Sequence, residues 1–148
     1  MLKKVISGGQ TGVDRIGLEV ARSLGIKTGG SAPKDFRTEN GVDLTLKDFG
    51  LVETTHSSYN YRTFINVASS DATVLFGDMS SAGSKLTLDY LKNKKYIVNP
   101  TVDQLIDFIV ENKVETLNVA GNRASKLKHS DVNTITYILR KAFEQFKP

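Results

Sequence analysis

Cysteine and tryptophan are absent from this chain of 148 residues, which also holds only 3 prolines and 2 histidines. Without cysteine there is no disulfide, no thiolate metal site and no cysteine nucleophile. The two histidines, His56 and His129, are too far apart in sequence to pair by spacing, and no Asp/Glu cluster shows metal-ligand spacing. No apolar run approaches the ~20 residues of a membrane span. Met1-Leu2-Lys3-Lys4 leads straight into a strand too short for a secretory core. A soluble, cytoplasmic protein without a membrane partner is expected. An excess of one charge is lacking too, with a formal net charge of +4. Lysines are scattered, in small groups at Lys92, Lys94 and Lys95 and at Lys126 and Lys128. A nucleic-acid face calls for a dense basic stripe with interleaved aromatics, so nucleic acid is not the expected partner. The basic balance fits a solvated surface whose field draws in small anions. No repeat, low-complexity segment or linker interrupts the chain, and its length suits one domain, residues 1–148.

What the chain does have is glycine at a telling place. The apolar run Val5-Ile6 ends in Ser7-Gly8-Gly9-Gln10-Thr11-Gly12, and an amphipathic segment follows with Val13, Ile16, Val20, Ala21 and Leu24 on one helical face. A strand, a glycine-rich turn and a helix start aim backbone N–H groups at one spot, and that spot favours anions. The pattern is not a Walker loop, since no Gly-Lys-Ser/Thr follows, and it only approaches the dinucleotide fingerprint. Gly17 is placed to let the helix pack tightly on the sheet. A bare connector needs none of the polar groups clustered at Gln10, Thr11, Asp14 and Arg15. The expected ligand is therefore a small anionic, phosphorylated molecule held at the first βα turn.

Further along, elements alternate. Strands are expected near Lys4–Ser7, Ile26–Gly30, Gly50–Glu53, Ala72–Phe76, Tyr96–Val98 and Thr116–Val119. Helices are expected near Gly12–Leu24 (stopped by Gly25), Tyr59–Ala68, from Ser84 to about Lys92, from Thr101 with a Gln104 capping box, and from Ser130 as cap to the C-terminus. Ala72–Phe76 is a continuous apolar run of the kind buried on both faces of a parallel sheet. The fold class is α/β: a doubly wound, mostly parallel Rossmann-like sheet flanked by helices. In such sheets ligands bind beyond the carboxyl ends of strands, where strand order switches. Three polar loops follow apolar strands, at Gly8–Arg15, Gly77–Ser84 and Ala120–Lys126, and all should emerge on that edge.

Ser7-Gly8-Gly9-Gln10-Thr11-Gly12-Val13-Asp14-Arg15, Thr28-Gly29-Gly30 with Pro33-Lys34, and Arg37-Thr38-Glu39-Asn40-Gly41 together resemble the molybdenum cofactor carrier protein family. Tyr61-Arg62-Thr63, Ser70-Asp71-Ala72-Thr73, and Asn118-Val119-Ala120-Gly121 with Arg123 extend the likeness over most of the chain. The resemblance implies a doubly wound fold, assembly into homo-oligomers, and binding of the anionic pterin cofactor of molybdenum enzymes. It also implies kinship with lysine-decarboxylase-like phosphoribohydrolases and with sensors of nucleotide-derived ligands. Departures are Ser31-Ala32 where an aromatic and a cysteine are usual, Ala82-Gly83-Ser84 in place of Gly-Gly-Thr, and Asn122 in place of a proline. Ser81–Thr87 lacks the proline and most glycines of the phosphoribohydrolase motif, and Leu88-Asp89 supplies no catalytic glutamate.

The residues expected at the ligand are Gly8, Gly9, Gln10, Thr11, Gly12, Asp14 and Arg15 from the first loop. Lys34 and Arg37 join them from the loop after the second strand, and Gly83 and Ser84 from the third helix. Arg15 is read as a bidentate phosphate fork, so that Arg15→Ala weakens binding and spares the fold. Asp78 is read as a competitor for phosphate beside Gly83. No complete catalytic set is visible, and Ser7 lacks the nucleophile elbow. The reading is a binding or carrier protein without catalysis. Sequestration or sensing of a nucleotide-derived signalling molecule is an alternative, and N-glycosidic hydrolysis of a nucleotide is another.

Overall fold

A computed structural model describes residues 1–148. Its central sheet is built from β1 (Lys4–Ile6), β2 (Lys27–Ala32), β5 (Leu51–Glu53), β6 (Ala72–Phe76), β7 (Lys95–Val98) and β8 (Thr116–Gly121). The strand order is β5-β2-β1-β8-β6-β7, and every neighbouring pair is parallel. A minor antiparallel pair, β3 (Arg37–Thr38) and β4 (Gly41–Val42), stands apart from it. The helices are α1 (Val13–Ser23), α2 (Tyr59–Ser69), α3 (Ala82–Tyr90), α4 (Val102–Glu111) and α5 (His129–Glu144).

Helices α1, α4 and α5 cover one face of the sheet, while α2 and α3 pack together on the other. Alternation along the central strands decides what each face receives. Leu117 and Val119 of β8, with Ala72, Val74 and Phe76 of β6, enter the main core beside Val13, Val20, Leu105, Ile109, Leu139 and Phe143. The intervening residues, Thr73 and Leu75 of β6 and Asn118 and Ala120 of β8, face α2 and α3. There the apolar filling is small, with Val67, Leu75 and Leu91 as its buried members. A third cluster, Leu18, Ala32, Phe36, Leu46, Phe49 and Leu51, seats the long β2–β5 connection against α1.

Most expected elements stand within a residue or two of their sequence-based limits. Two local expectations change. Helix α5 begins at His129, and the carboxylate of Asp131 accepts from the Lys128 backbone N–H, so the cap is one turn-start earlier than Ser130. The stretch from Pro33 to Gly41, expected as plain loop, holds a tight turn at Lys34–Phe36 and the β3–β4 pair. Asp35 and Phe36 there take left-handed φ values of 63° and 54°, which no hydrophobic period announces. Gly17 does serve helix–sheet packing: a Cβ on it would lie 2.8 Å from Val119 Cβ, in the middle of β8. Gly17→Ala is expected to push α1 off the sheet and cost about 1–3 kcal/mol, read as a lower urea midpoint with an unchanged slope.

Candidate functional site

The crossover from β5 to β6 reverses the winding direction, and β8 then returns to lie between β1 and β6. The carboxyl ends of these three strands open into a cavity of about 730 Å³. Its walls are α2 (Tyr59, Arg62, Asn66) and the start of α3 (Ser81, Gly83, Ser84), and its floor includes Asn118 and Ala120. Because α2 and α3 meet over only a small apolar cluster, the floor between them stays uncovered.

Of the residues expected from sequence, Gly8, Gln10, Asp14, Gly83 and Ser84 come together in this lining. Gly9, Thr11, Gly12, Arg15, Lys34 and Arg37 are not part of it. The physical reasons are local. Most of the glycine loop's N–H groups already have protein acceptors: Gly9 donates to Ser7 Oγ, Gln10 to Asp14 Oδ2, Thr11 to Gln10 Oε1 and Val13 to the Asn122 carbonyl. The anion at the N-terminus of α1 is thus the protein's own Asp14 carboxylate. Gly12, at φ 85°, is required because a Cβ there would strike the backbone of Asn122–Ala124. Thr11 donates to Glu39, and its hydroxyl accepts from the Ala124 N–H. Arg15 turns the other way, with Nε 2.8 Å from Glu19, Nη1 2.9 Å from Asp43, and its guanidinium over the Phe49 ring. The basis for expecting Arg15→Ala to weaken binding is thereby removed. Asp78 also lies outside this cavity; Ser80 donates to its carboxylate from both backbone and hydroxyl and holds it below the usual carboxylate range.

Arg62, expected from its helix to serve either a site or a subunit contact but not named among the ligand residues, is the side chain that the glycine loop accommodates. Its guanidinium occupies the space where a Cβ on Gly8 would stand. Nη1 donates to Asp14 Oδ2 at 2.7 Å, with Arg62 12% and Asp14 4% exposed in their side chains. Nε is buried and has no hydrogen-bond partner. Burial pushes the Asp14 carboxyl up, against the opposing pull of Arg62 and the backbone N–H groups of Gln10 and Gly8. The signal that could have exposed this pair is the coupling of Gly8 to a long cation far along the chain, and no local period carries that.

Asn122, an expected departure, is a buried clasp. Its Oδ1 accepts from the Asp78 N–H, and its Nδ2 donates to the Asp78 carbonyl and reaches the Ser81 and Ser84 hydroxyls. Asn66 clasps β2 in the same manner, accepting from the Ser31 N–H and donating to the Ser31 carbonyl. Glu39 joins the first loop to the last: Thr11 and Ser125 both donate to it, and Arg123 Nε stands 3.7 Å away. Burial raises the Glu39 carboxyl, yet the hydrogen bonds from Ser125 and Thr11 and the Arg123 charge leave it below its ordinary value. Arg123 and Lys126 add positive charge to the cavity rim, where Asp14 is the one carboxylate of the lining.

Residues 5–142 match the circularly permutated YpsA SLOG family. The chain belongs to that family. The SLOG description records a permuted chain order, and here the last strand sits at the centre of the sheet beside the first. A solved structure from Syntrophus aciditrophicus SB, provisionally named a molybdenum carrier protein, is 31% identical and superposes with a TM-score of 0.80. The match covers 96% of this SLOG chain and 94% of that one. No curated protein matches. No helix is long and apolar enough to cross a membrane.

Arg62→Met removes the charge that faces Asp14 while keeping most of the side-chain volume. The expected loss is about 3 kcal/mol at neutral pH, the usual cost of stranding one member of a buried pair. The folded-state Asp14 carboxyl then sits further above its unfolded value, so the folded variant binds the proton more readily than the unfolded chain. Stability rises as pH falls through that raised value, and the gap to wild type should narrow between pH about 7 and about 4. Urea midpoints across that range check it; a constant gap would mean that Asp14 is not the stranded charge.

Proposed function

We propose that this chain binds a small anionic, phosphorylated ligand in the cavity between α2 and α3 and holds it without transforming it. One observation carries the reading: Arg62, Arg123 and Lys126 and the first turn of α3 converge on a polar cavity whose single carboxylate, Asp14, is already paired. A Cβ on Gly83 would meet nothing within 4 Å, so the start of α3 is open on that side. Exposed N–H groups at such a helix start favour an anion.

By resemblance, and by the name of the Syntrophus protein, the first candidate is the molybdenum cofactor. The residues fit its anionic and heterocyclic parts. Arg62 and the α3 start would hold phosphate, and the amide of Asn118 would meet the polar edge of the pterin. No group of three or more His, Cys, Asp or Glu could hold a metal ion. The cofactor would bring its molybdenum with it, and the chain would supply binding and orientation alone.

A nucleotide-derived signalling molecule is the second reading, favoured by Tyr59, an aromatic ring of the cavity lining over which the Arg62 guanidinium lies, 5.6 Å from its centroid. N-glycosidic hydrolysis has less support, since glycoside cleavage normally uses two carboxyl groups and the lining holds only Asp14. Homo-oligomerisation, which the resemblance implies, is part of the proposal. Phe64 and Tyr61 on α2 are 53% and 38% exposed, an apolar surface for a second copy to cover.

Native mass spectrometry of the freshly purified protein, followed by denaturation and identification of what is released, tests the reading. A released pterin phosphate supports carriage, an intact nucleotide derivative supports sequestration or sensing, and a split nucleotide supports the hydrolase. An empty protein that also fails to bind inorganic phosphate overturns the proposal. The intact mass reports the number of subunits.

A further inference from the structure

The geometry points to the free edge of Arg62, together with the side-chain amide of Gln10, as the seat of the ligand's terminal phosphate. This rests on the ligand-binding reading above and deepens it, because it names the atoms of Arg62 and a second side chain, Gln10, that hold the phosphate.

Four buried amides stand around the cavity, and they divide by what they have left to give. Asn66 and Asn122 use both ends of their amides on the protein and are structural. Gln10 differs. Its Oε1 accepts from the Thr11 N–H at 3.0 Å and the Glu39 N–H at 2.9 Å, which fixes the orientation of the amide. Its Nε2 donates to no protein atom, although the residue is only 6% exposed and lines the cavity. Asn118 binds the Thr73 hydroxyl at 3.3 Å with a single contact that does not fix its orientation. Gln10 is therefore the amide that presents a committed donor.

Arg62 presents the second. Nη1 is engaged by Asp14, and the opposite edge, Nε with Nη2, has no acceptor in the protein. That edge is one of the forks by which a guanidinium grips two oxygens of a phosphate or carboxylate. The two residues stand side by side: both line the cavity, and the Gln10 backbone N–H and Arg62 Nη1 meet on one oxygen, Asp14 Oδ2, at 3.2 Å and 2.7 Å. A cluster that offers donors alone selects an oxyanion over a neutral group with both donors and acceptors.

Charge and donor number favour phosphate over carboxylate. Asp14 offsets Arg62 and Glu39 stands 3.7 Å from Arg123 Nε, which leaves Lys126 in excess. The Arg62 edge and the Gln10 amide offer more donors than the two oxygens of a carboxylate. Asp14 is the positioning residue: it holds Arg62 over Gly8 so that the free edge is set before the ligand arrives.

Two variants test the assignment, with inorganic phosphate and acetate as probes in calorimetric titrations and melting temperature as the control for folding. Gln10→Glu keeps the acceptor for the Thr11 and Glu39 N–H groups and turns the free donor into a negative acceptor. Arg62→Lys keeps a charge for Asp14 and removes the fork. Each is expected to weaken phosphate binding at least about tenfold, with wild type preferring phosphate to acetate. Wild-type affinity in whichever variant folds overturns the seat and leaves the binding reading standing. Acetate bound as tightly as phosphate overturns the choice of phosphate. No binding of either probe by wild type overturns the seat and the reading beneath it.

Discussion

A carboxylate buried at the start of α1 is the constraint around which this molecule is arranged. Asp14 is nearly inaccessible, and a charge so placed is tolerated only when paired and hydrogen-bonded. Its partner, Arg62, comes from α2, within the crossover that reverses the sheet's winding. The guanidinium can reach it only across Gly8, where a side chain would block the way. One ion pair therefore fixes the glycine loop, the position of α2 and the near wall of the cavity. Asp14 also supplies, from within, the negative charge that the α1 dipole favours. An external anion would have to bind elsewhere, and Arg62, a residue of the cavity lining, has an edge that Asp14 does not use.

Rigidity around that pair comes from polar contacts between distant loops. Gln10 and Thr11 reach Glu39, Glu39 reaches Ser125, and Asn122 closes onto Asp78 and the start of α3. These segments come from the ends of different strands, so each contact closes a long loop. Polar contacts that tie several distant loops together specify one arrangement. Side chains that look from sequence like ligand contacts, Thr11 above all, spend their hydrogen-bonding capacity on this scaffold. Preorganisation of this sort suits a binding site, since less ordering remains to be done when a ligand arrives.

The fold was largely legible because each of its signals is local. Ala72–Phe76 reads as a buried strand from its own residues, and Thr101 with Gln104 forms the expected capping box. Gly17 against Val119 follows from helix–sheet proximity once the strand and helix are placed. The site was half legible for the complementary reason. That the three polar loops meet on one edge follows from the topology, and Gly8, Gln10, Asp14, Gly83 and Ser84 do meet there. Which side chains turn inward does not follow. Arg15 and Arg62 are both arginines beside apolar helix faces. The difference is that Phe49, Asp43 and Glu19 draw one outward while Asp14 draws the other inward. Apart from Glu19, one turn along α1, those partners come from long-range packing, including the left-handed turn at Asp35–Phe36, which sequence periods do not encode.

The two faces of the sheet divide the work between stability and recognition, and the division is written in the alternation of β8. Leu117 and Val119 point into the large core under α1, α4 and α5, whereas Asn118 and Ala120 belong to the side with the cavity. A leucine at 118 would fill that floor and add burial, at roughly 25 cal/mol for each Å² of apolar surface removed from water. It would also close the space between α2 and α3 and erase a polar contact to Thr73. The same holds for Arg62, whose buried and unpartnered Nε is a cost that an apolar packing would avoid. Such costs recur at one place in the molecule, around one cavity, while the opposite face is packed with aliphatic and aromatic side chains. Unsatisfied donors concentrated in this way are what a site for an oxyanion requires, because the free energy withheld from folding is returned when the acceptor binds.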